Sequence, residues 1–271
     1  MQQKMAKIAV SMALCLCLSM LGMLAGVALT LWNEGWLISS MDKTGYYTDT
    51  TQLAKSECSY FINQTGVLGN IVDEFITDEI VRQDVILGVD GLFRNTGAMA
   101  FSKFGDLSTR VEDIIYEETG KILDNSEKQQ NFSLQFQCEQ RYAEIVRPPF
   151  QTAISILLQY KQIGLFLAIA AAIVSVMGAM VLFVMSKTMK QWKGLLASNG
   201  LVSACTLLVL SIAIQFCGYQ NWMPKTNMEY KLFVKWFGGT SWGLAGVAVV
   251  LAGGAIALLF WNKKPKGARK P

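Results

Sequence analysis

The chain predicts an all-α integral membrane protein with four transmembrane helices and a mainly helical extracytoplasmic domain inserted between the first and the second. Three observations carry this prediction. Residues 8–32, 162–185, 194–218 and 236–261 contain no Asp, Glu, Lys or Arg. Each run is long enough to cross a hydrocarbon core of about 30 Å at about 1.5 Å per residue. The basic residues that flank these runs are distributed unequally, and the 33–161 segment repeats its apolar residues with helical spacing.

The first element comprises 1–32, a short basic start with Lys4 and Lys7 followed by the first span. Gly26-Val27-Ala28 resembles a small-residue cleavage site. The apolar run is about twice the 7–15 residues of a secretory signal core, so an uncleaved anchor is expected. The second span, 162–185, leads into a cytoplasmic turn, 186–193, with Lys187, Lys190 and Lys193. The third span is 194–218. An outer amphipathic loop, 219–235, precedes the fourth span, 236–261, and a basic cytoplasmic tail, 262–271, closes the chain. The start, the turn and the tail carry basic residues and no acidic ones. The positive-inside rule therefore places both termini in the cytoplasm of a plasma-membrane protein. Trp32, Trp36, Trp222, Trp236 and Trp242 then fall near the outer interface, and Trp192 and Trp261 near the inner one.

The 33–161 domain has a normal size for an independent fold. It carries nineteen acidic and eleven basic side chains, about −8. Leu53, Ala54, Cys58, Phe61 and Ile62 suggest a first short helix. Leu68, Ile71, Val72, Phe75, Ile76 and Ile80 predict a second, with Asp73, Glu74, Asp78 and Glu79 on its wet face. Val85 to Phe93, around Asp90-Gly91, suits a small hairpin or a loop. A helix is expected from Leu107 to Leu123, with Thr109 and Glu112 at capping-box spacing. Another is expected from Phe132 to Val146, broken by Pro148-Pro149. From Phe150 the apolar pattern continues through Ile154, Leu157 and Leu158 into the second span, which predicts one long helix.

Six cysteines divide by place. Cys15, Cys17 and Cys205 lie within spans, where they pack as small apolar residues. Cys58 and Cys138 lie in the outer domain, where oxidising conditions permit a disulfide. Cys217, at the end of the third span, is the competing partner. Closing the 58–138 loop contributes on the order of 4–5 kcal/mol by chain-entropy accounting.

Other patterns have plain structural readings. The acidic pairs lie on helices and lack the alternating ligands and glycine turn of a calcium loop, so a solvated face is expected. Gly239-Thr240-Ser241-Trp242-Gly243 matches the G-x-S-x-G of serine hydrolases, but it opens a membrane helix in a chain that has no histidine. Asn63-Gln64-Thr65 and Asn131-Phe132-Ser133 are glycosylation acceptor triplets. Met228, Leu232, Phe233, Trp236 and Phe237 share one helical face and suggest an interfacial amphipathic helix. Gly22 and Gly26, and Ala248, Ala252, Gly253 and Ala257, have the small-residue spacing of close helix packing, either within the bundle or against another membrane protein.

These features bound the function. No ionisable group lies within a span, which argues against pumps, proton-coupled carriers and voltage sensors. The cytoplasmic segments are too short for a nucleotide- or nucleic-acid-binding module, and nothing calls for a cofactor or a metal. The order of spans and loop resembles that of claudin-like four-span proteins, whose large loop also follows the first span. Their tryptophan–cysteine signature, with two neighbouring cysteines, is absent here, and the resemblance stops at topology. The expected partners are the lipid bilayer and a membrane or extracytoplasmic protein, or a second copy of the chain. The reading is an interaction or accessory protein whose outer domain binds a protein, envelope component or ligand, with the spans as tether or assembly surface. A histidine-independent membrane enzyme acting on lipid or envelope substrate, and a pore or transporter subunit, are the alternatives.

Overall fold

The structure, a computed structural model, describes residues 2–65, 71–96, 104, 106–225 and 227–261. Leu68, the first apolar position of the second predicted helix, and the basic tail at 262–271 lie outside the described residues. Among those described, every regular element is a helix. The chain divides into two compact units, Met1–Leu37 with Ile156–Pro271, and Ile38–Ser155.

The first unit holds α1 (Gln2–Leu29), the greater part of α8 (Gln151–Met185), α9 (Met189–Phe216) and α10 (Tyr230–Phe260). All four are long and apolar enough to cross a membrane, as expected of a multi-pass membrane protein. Their outward faces are apolar too. Phe166 is 72% exposed, Val184 82% and Phe216 84%. So much exposed apolar surface suits hydrocarbon and is costly in water. α9 and α10 run along each other, and α1 lies against both. Ala204 and Leu207 of α9 meet Leu244 and Ala248 of α10 in the shared core. The capping Thr188 accepts the Gln191 amide and so starts α9 within the turn expected at 186–193, which puts Lys190 and Lys193 in the helix. α8 is continuous from Gln151 to Met185, as the uninterrupted apolar pattern predicts.

Glycines set the close approaches in this unit. A Cβ on Gly26 would stand 2.7 Å from Leu244 Cδ2 and 3.3 Å from the Leu244 amide nitrogen. Gly22 faces the Leu207 side chain just as closely. Gly253 has open space around it.

The second unit contains most of α2 (Glu34–Thr44), then α3 (Tyr46–Asn63), α4 (Val72–Phe75), α5 (Asp78–Arg94), α6 (Leu107–Thr119) and α7 (Asn125–Ile145). The apolar sides of α3, α5, α6 and α7 bury Cys58, Ile62, Val85, Val111, Leu134 and Tyr142. Three local expectations are corrected. The helix read across 68–80 is broken, because Ile76 is extended and Thr77 caps a fresh helix by accepting the Ile80 amide. Val85 to Phe93 belongs to α5, not to a hairpin or loop. The predicted capping box at Thr109 and Glu112 is not the start of α6, which begins at Leu107 and ends at the left-handed Gly120.

The capping box that does form starts α7. The Asp124 carboxylate accepts from the Ser126 and Glu127 amides, and Glu127 accepts in turn from the Asp124 amide. The Glu127 amide bond holds the Asp124 carboxyl below its ordinary range, helped by Ser126. Lys121 holds Glu127 below its own, helped by the Asp124 amide. Both carboxyls are depressed on folding, so their contribution is complete above the unfolded values near pH 4 and is lost as pH falls through the lower folded values.

Two stability predictions rest on this packing. Gly26→Val overpacks the α1–α10 contact and lowers stability by about 1–3 kcal/mol, whereas Gly253→Val stays within about 0.5 kcal/mol of the parent. Thermal denaturation in detergent checks the pair. Asp124→Ala lowers the Tm at pH 7, and the gap from the parent shrinks as the pH drops below about 4.

Candidate functional site

Two groups of polar side chains link helices of the first unit. Ser211 of α9 donates to the Ser241 carbonyl of α10 at 2.8 Å. Gln215 Nε2 donates to Ser241 Oγ, which itself donates to the Gly238 carbonyl at 2.9 Å. Ser241 is only 1% exposed. The serine of the G-x-S-x-G pattern is therefore a sealed link between two helices. Its hydroxyl proton is committed to a carbonyl, and the position offers no room for a substrate. A similar link joins α1 to α9, where Ser11 Oγ donates to Asn199 Oδ1 at 2.6 Å and Ser203 Oγ donates to the Cys15 carbonyl at 3.0 Å.

An aromatic collar closes the end of this unit that carries the start of α10. Tyr219, in a short 3-10 turn (Tyr219–Asn221) after α9, packs against Phe233 and Phe237, and Trp222 also packs on Phe237. Trp36 Nε1 donates to the Trp236 carbonyl at 3.2 Å, and its ring covers Gly239. The stretch expected to form a separate amphipathic helix is largely the first two turns of α10. Leu232 and Trp236 are buried in the unit, Phe233 and Phe237 are half-buried, and Met228 precedes the helix.

The small-residue positions separate in the structure. Gly22, Gly26 and Ala248 are buried, Ala252 is partly buried against the shared core, and Gly253 and Ala257 are exposed. The spacing did not single out Gly200 and Ala255, which meet across α9 and α10 with a would-be Gly200 Cβ only 3.1 Å from Ala255 Cβ.

In the second unit, α3 and α7 bring Cys58 and Cys138 together. Both are completely buried free thiols. Each Sγ lies 3.7 Å from the other residue's backbone carbonyl oxygen. The expected disulfide is thus absent as a bond, although the fold juxtaposes the two residues. The hydrogen bond to Cys138, and then burial, raises the Cys58 thiol. Beside them Tyr142 Oη donates to the buried Asp84 carboxylate at 2.7 Å. Burial, then this bond, pushes the Tyr142 phenol up. Phe104 packs edge-on against the Tyr142 ring. Nucleophiles and a carboxylate therefore meet here, but in a closed core.

The acceptor triplets also part company. Asn63 is exposed at the end of α3. Asn131 is 8% exposed inside α7, and its Nδ2 finds no partner among the described residues. A folded α7 does not present that amide to a glycosylating enzyme.

Among the described residues no group of three or more His, Cys, Asp or Glu side chains is placed to hold a metal ion. No protein-family model matches the chain, and neither does any curated protein or solved structure.

The buried hydroxyls give two expected outcomes. A fluorophosphonate serine probe leaves Ser241 unlabelled in the folded protein, and labelling at Ser241 read by peptide mass spectrometry contradicts its sealed position. Tyr142→Phe removes a donor from buried Asp84 and costs about 1–3 kcal/mol in a denaturant titration.

Proposed function

We propose that this chain is a multi-pass plasma-membrane interaction or accessory protein. Its second unit lies outside the cytoplasm and docks a protein of the cell envelope, and its four spans serve as tether and assembly surface. The basic residues at 4, 7, 187, 190 and 193 and in the tail support this orientation through the positive-inside rule.

One observation carries the interaction reading. Phe132 and Phe136, one turn apart on α7, are 62% and 52% exposed, and Tyr60, Tyr116 and Ile122 of the same unit are exposed as well. Exposed aromatics spaced along one helix face are the kind of anchor around which protein interfaces form. Four of the chain's reactive groups support the same reading by their placement. Ser241, Cys58, Cys138 and Tyr142 are all enclosed, each occupied with a neighbour in its own unit.

An outside location also gives the Cys58–Cys138 pair a chemistry. During folding, before α3 and α7 enclose the pair, a disulfide-bearing thiol oxidase of an oxidising compartment would accept two electrons, and two protons would leave as the sulfurs join.

Mild-detergent purification from the native membrane, with mass spectrometry of the bound species, tests the proposal. The parent should retain a protein partner in stoichiometric amount, and Phe132→Glu with Phe136→Glu should lose it while keeping the parent helicity. A parent that carries no protein, or a doubly substituted chain that keeps its partner, contradicts the reading. Non-reducing electrophoresis after alkylation of native membranes should show Cys58 and Cys138 joined. Two alkylated thiols there would contradict the outside location.

A further inference from the structure

α1 with the residues just after it runs antiparallel to α8, and the α8 face that carries Gly164 and Gly178 also buries Ala171 and Ser175 between them. At one end the Trp32 ring lies on Gly164, and Trp32 Nε1 donates to the Leu157 carbonyl at 3.0 Å. Toward the other end Leu14 sits beside Gly178, where a Cβ would find Leu14 Cδ1 at 3.6 Å. Between these contacts is a groove of about 310 Å³. Leu21, Leu24, Ala25 and Ala28 line it from α1, and Gly164, Leu165 and Ala168 from α8. Spacings of three and four residues put each set on one helix face. Ala25, Ala28, Gly164 and Ala168 fall short of one another across the gap, so the groove follows directly from these small side chains.

The groove is apolar except at the end marked by Trp32, where Lys161 stands at its mouth. Lys161 is exposed and makes no ion pair or hydrogen bond among the described residues. It is the last charge before the apolar run of α8, and no carboxylate lies within a turn of it on that helix. A cation at this position meets the bilayer at headgroup level, above a slot that opens on the hydrocarbon. The volume is at the small end of ligand pockets, roughly 300–1,000 Å³. A second helix, about 10 Å across with its side chains, is too wide to enter it.

We propose that this groove binds one anionic glycerophospholipid. A single acyl chain lies along Leu21–Ala28 of α1 and Gly164–Ala168 of α8, and the headgroup phosphate rests on the Lys161 ammonium. Trp32, fixed by its bond to Leu157, forms the wall at the ester level. Lysine binds phosphate as a point charge, so the site selects for headgroup charge and tolerates variation in headgroup shape.

The test uses the full chain in nanodiscs of phosphatidylcholine with phosphatidylglycerol as the anionic probe. Lipids retained after transfer to mild detergent are counted by native mass spectrometry. The parent should retain phosphatidylglycerol at least fivefold over phosphatidylcholine, corrected for bilayer composition. Lys161→Gln should abolish the preference while leaving one lipid bound, and Ala168→Phe should fill the slot and remove that lipid. A parent without headgroup preference overturns the proposal. So does Lys161→Gln with the parent's preference, or a helical, monodisperse Ala168→Phe that still holds the lipid. If Ala168→Phe does not fold, the parent and Lys161→Gln decide the matter. A photo-crosslinker placed at residue 25 should capture lipid, and capture of a protein there in place of lipid also overturns the assignment.

Discussion

Hydrocarbon cannot hydrogen-bond a polar group, and the first unit is organised around that constraint. Its four long helices satisfy their backbones internally and carry no charge through their apolar lengths. Several of the polar side chains they carry join one helix to another. Ser211, Gln215 and Ser241 tie α9 to α10, and Ser11, Ser203, Asn199 and Cys15 tie α1 to α9. Each link is modest in a membrane, about 0.6 kcal/mol on average. Their collective effect is to fix which faces meet, because apolar faces alone are as content against lipid as against each other.

α8 stands apart from this arrangement. It meets α1 through Trp32, Gly164 and Gly178, and meets α9 where Trp192 Nε1 donates to the Ala179 carbonyl at 2.9 Å. Much of its surface is left apolar and exposed. Small side chains on both helices leave room beside the Trp32 contact, and the α1–α8 groove is that room. The second unit obeys different physics. It buries an ordinary apolar core, keeps acidic pairs such as Asp73-Glu74 and Glu117-Glu118 in solvent, and caps its helices with Thr77, Asp124 and Gly120. Membrane anchoring and recognition can therefore reside in separate parts of one chain.

The spans were legible in the sequence because a helix of more than twenty residues without a charge is hard to reconcile with water on any of its faces. The continuity of α8 was legible because nothing after Phe150 interrupts it. The break at Thr77 was not, since Ile76 remains buried in its extended conformation and so keeps the helical period intact across a real boundary. The spacing at Thr109–Glu112 suggested a capping box that did not form, and the one that did, Asp124–Glu127, was not read from the sequence. Small residues on α10 occur on more than one face, so four-residue spacing picked out Gly253 and Ala257, which are exposed, and passed over Ala255, which meets Gly200. The Cys58–Cys138 juxtaposition could be anticipated from shared domain membership. The Ser241 link, the Tyr142–Asp84 bond and the α1–α8 groove depend on which helices become neighbours, and no local pattern encodes that.

A charge-free four-span anchor of the proposed orientation puts the helical second unit and the basic turn on opposite sides of the bilayer. Single cysteines at exposed positions, Ser126→Cys in α7 and Lys187→Cys in the turn, made in a Cys217→Ser background, test this most directly. Intact cells are treated with a membrane-impermeant maleimide before and after permeabilisation. The predicted result is labelling at 126 in intact cells and at 187 only after permeabilisation. Labelling of both positions from the same side, or the reverse pattern, would contradict that orientation.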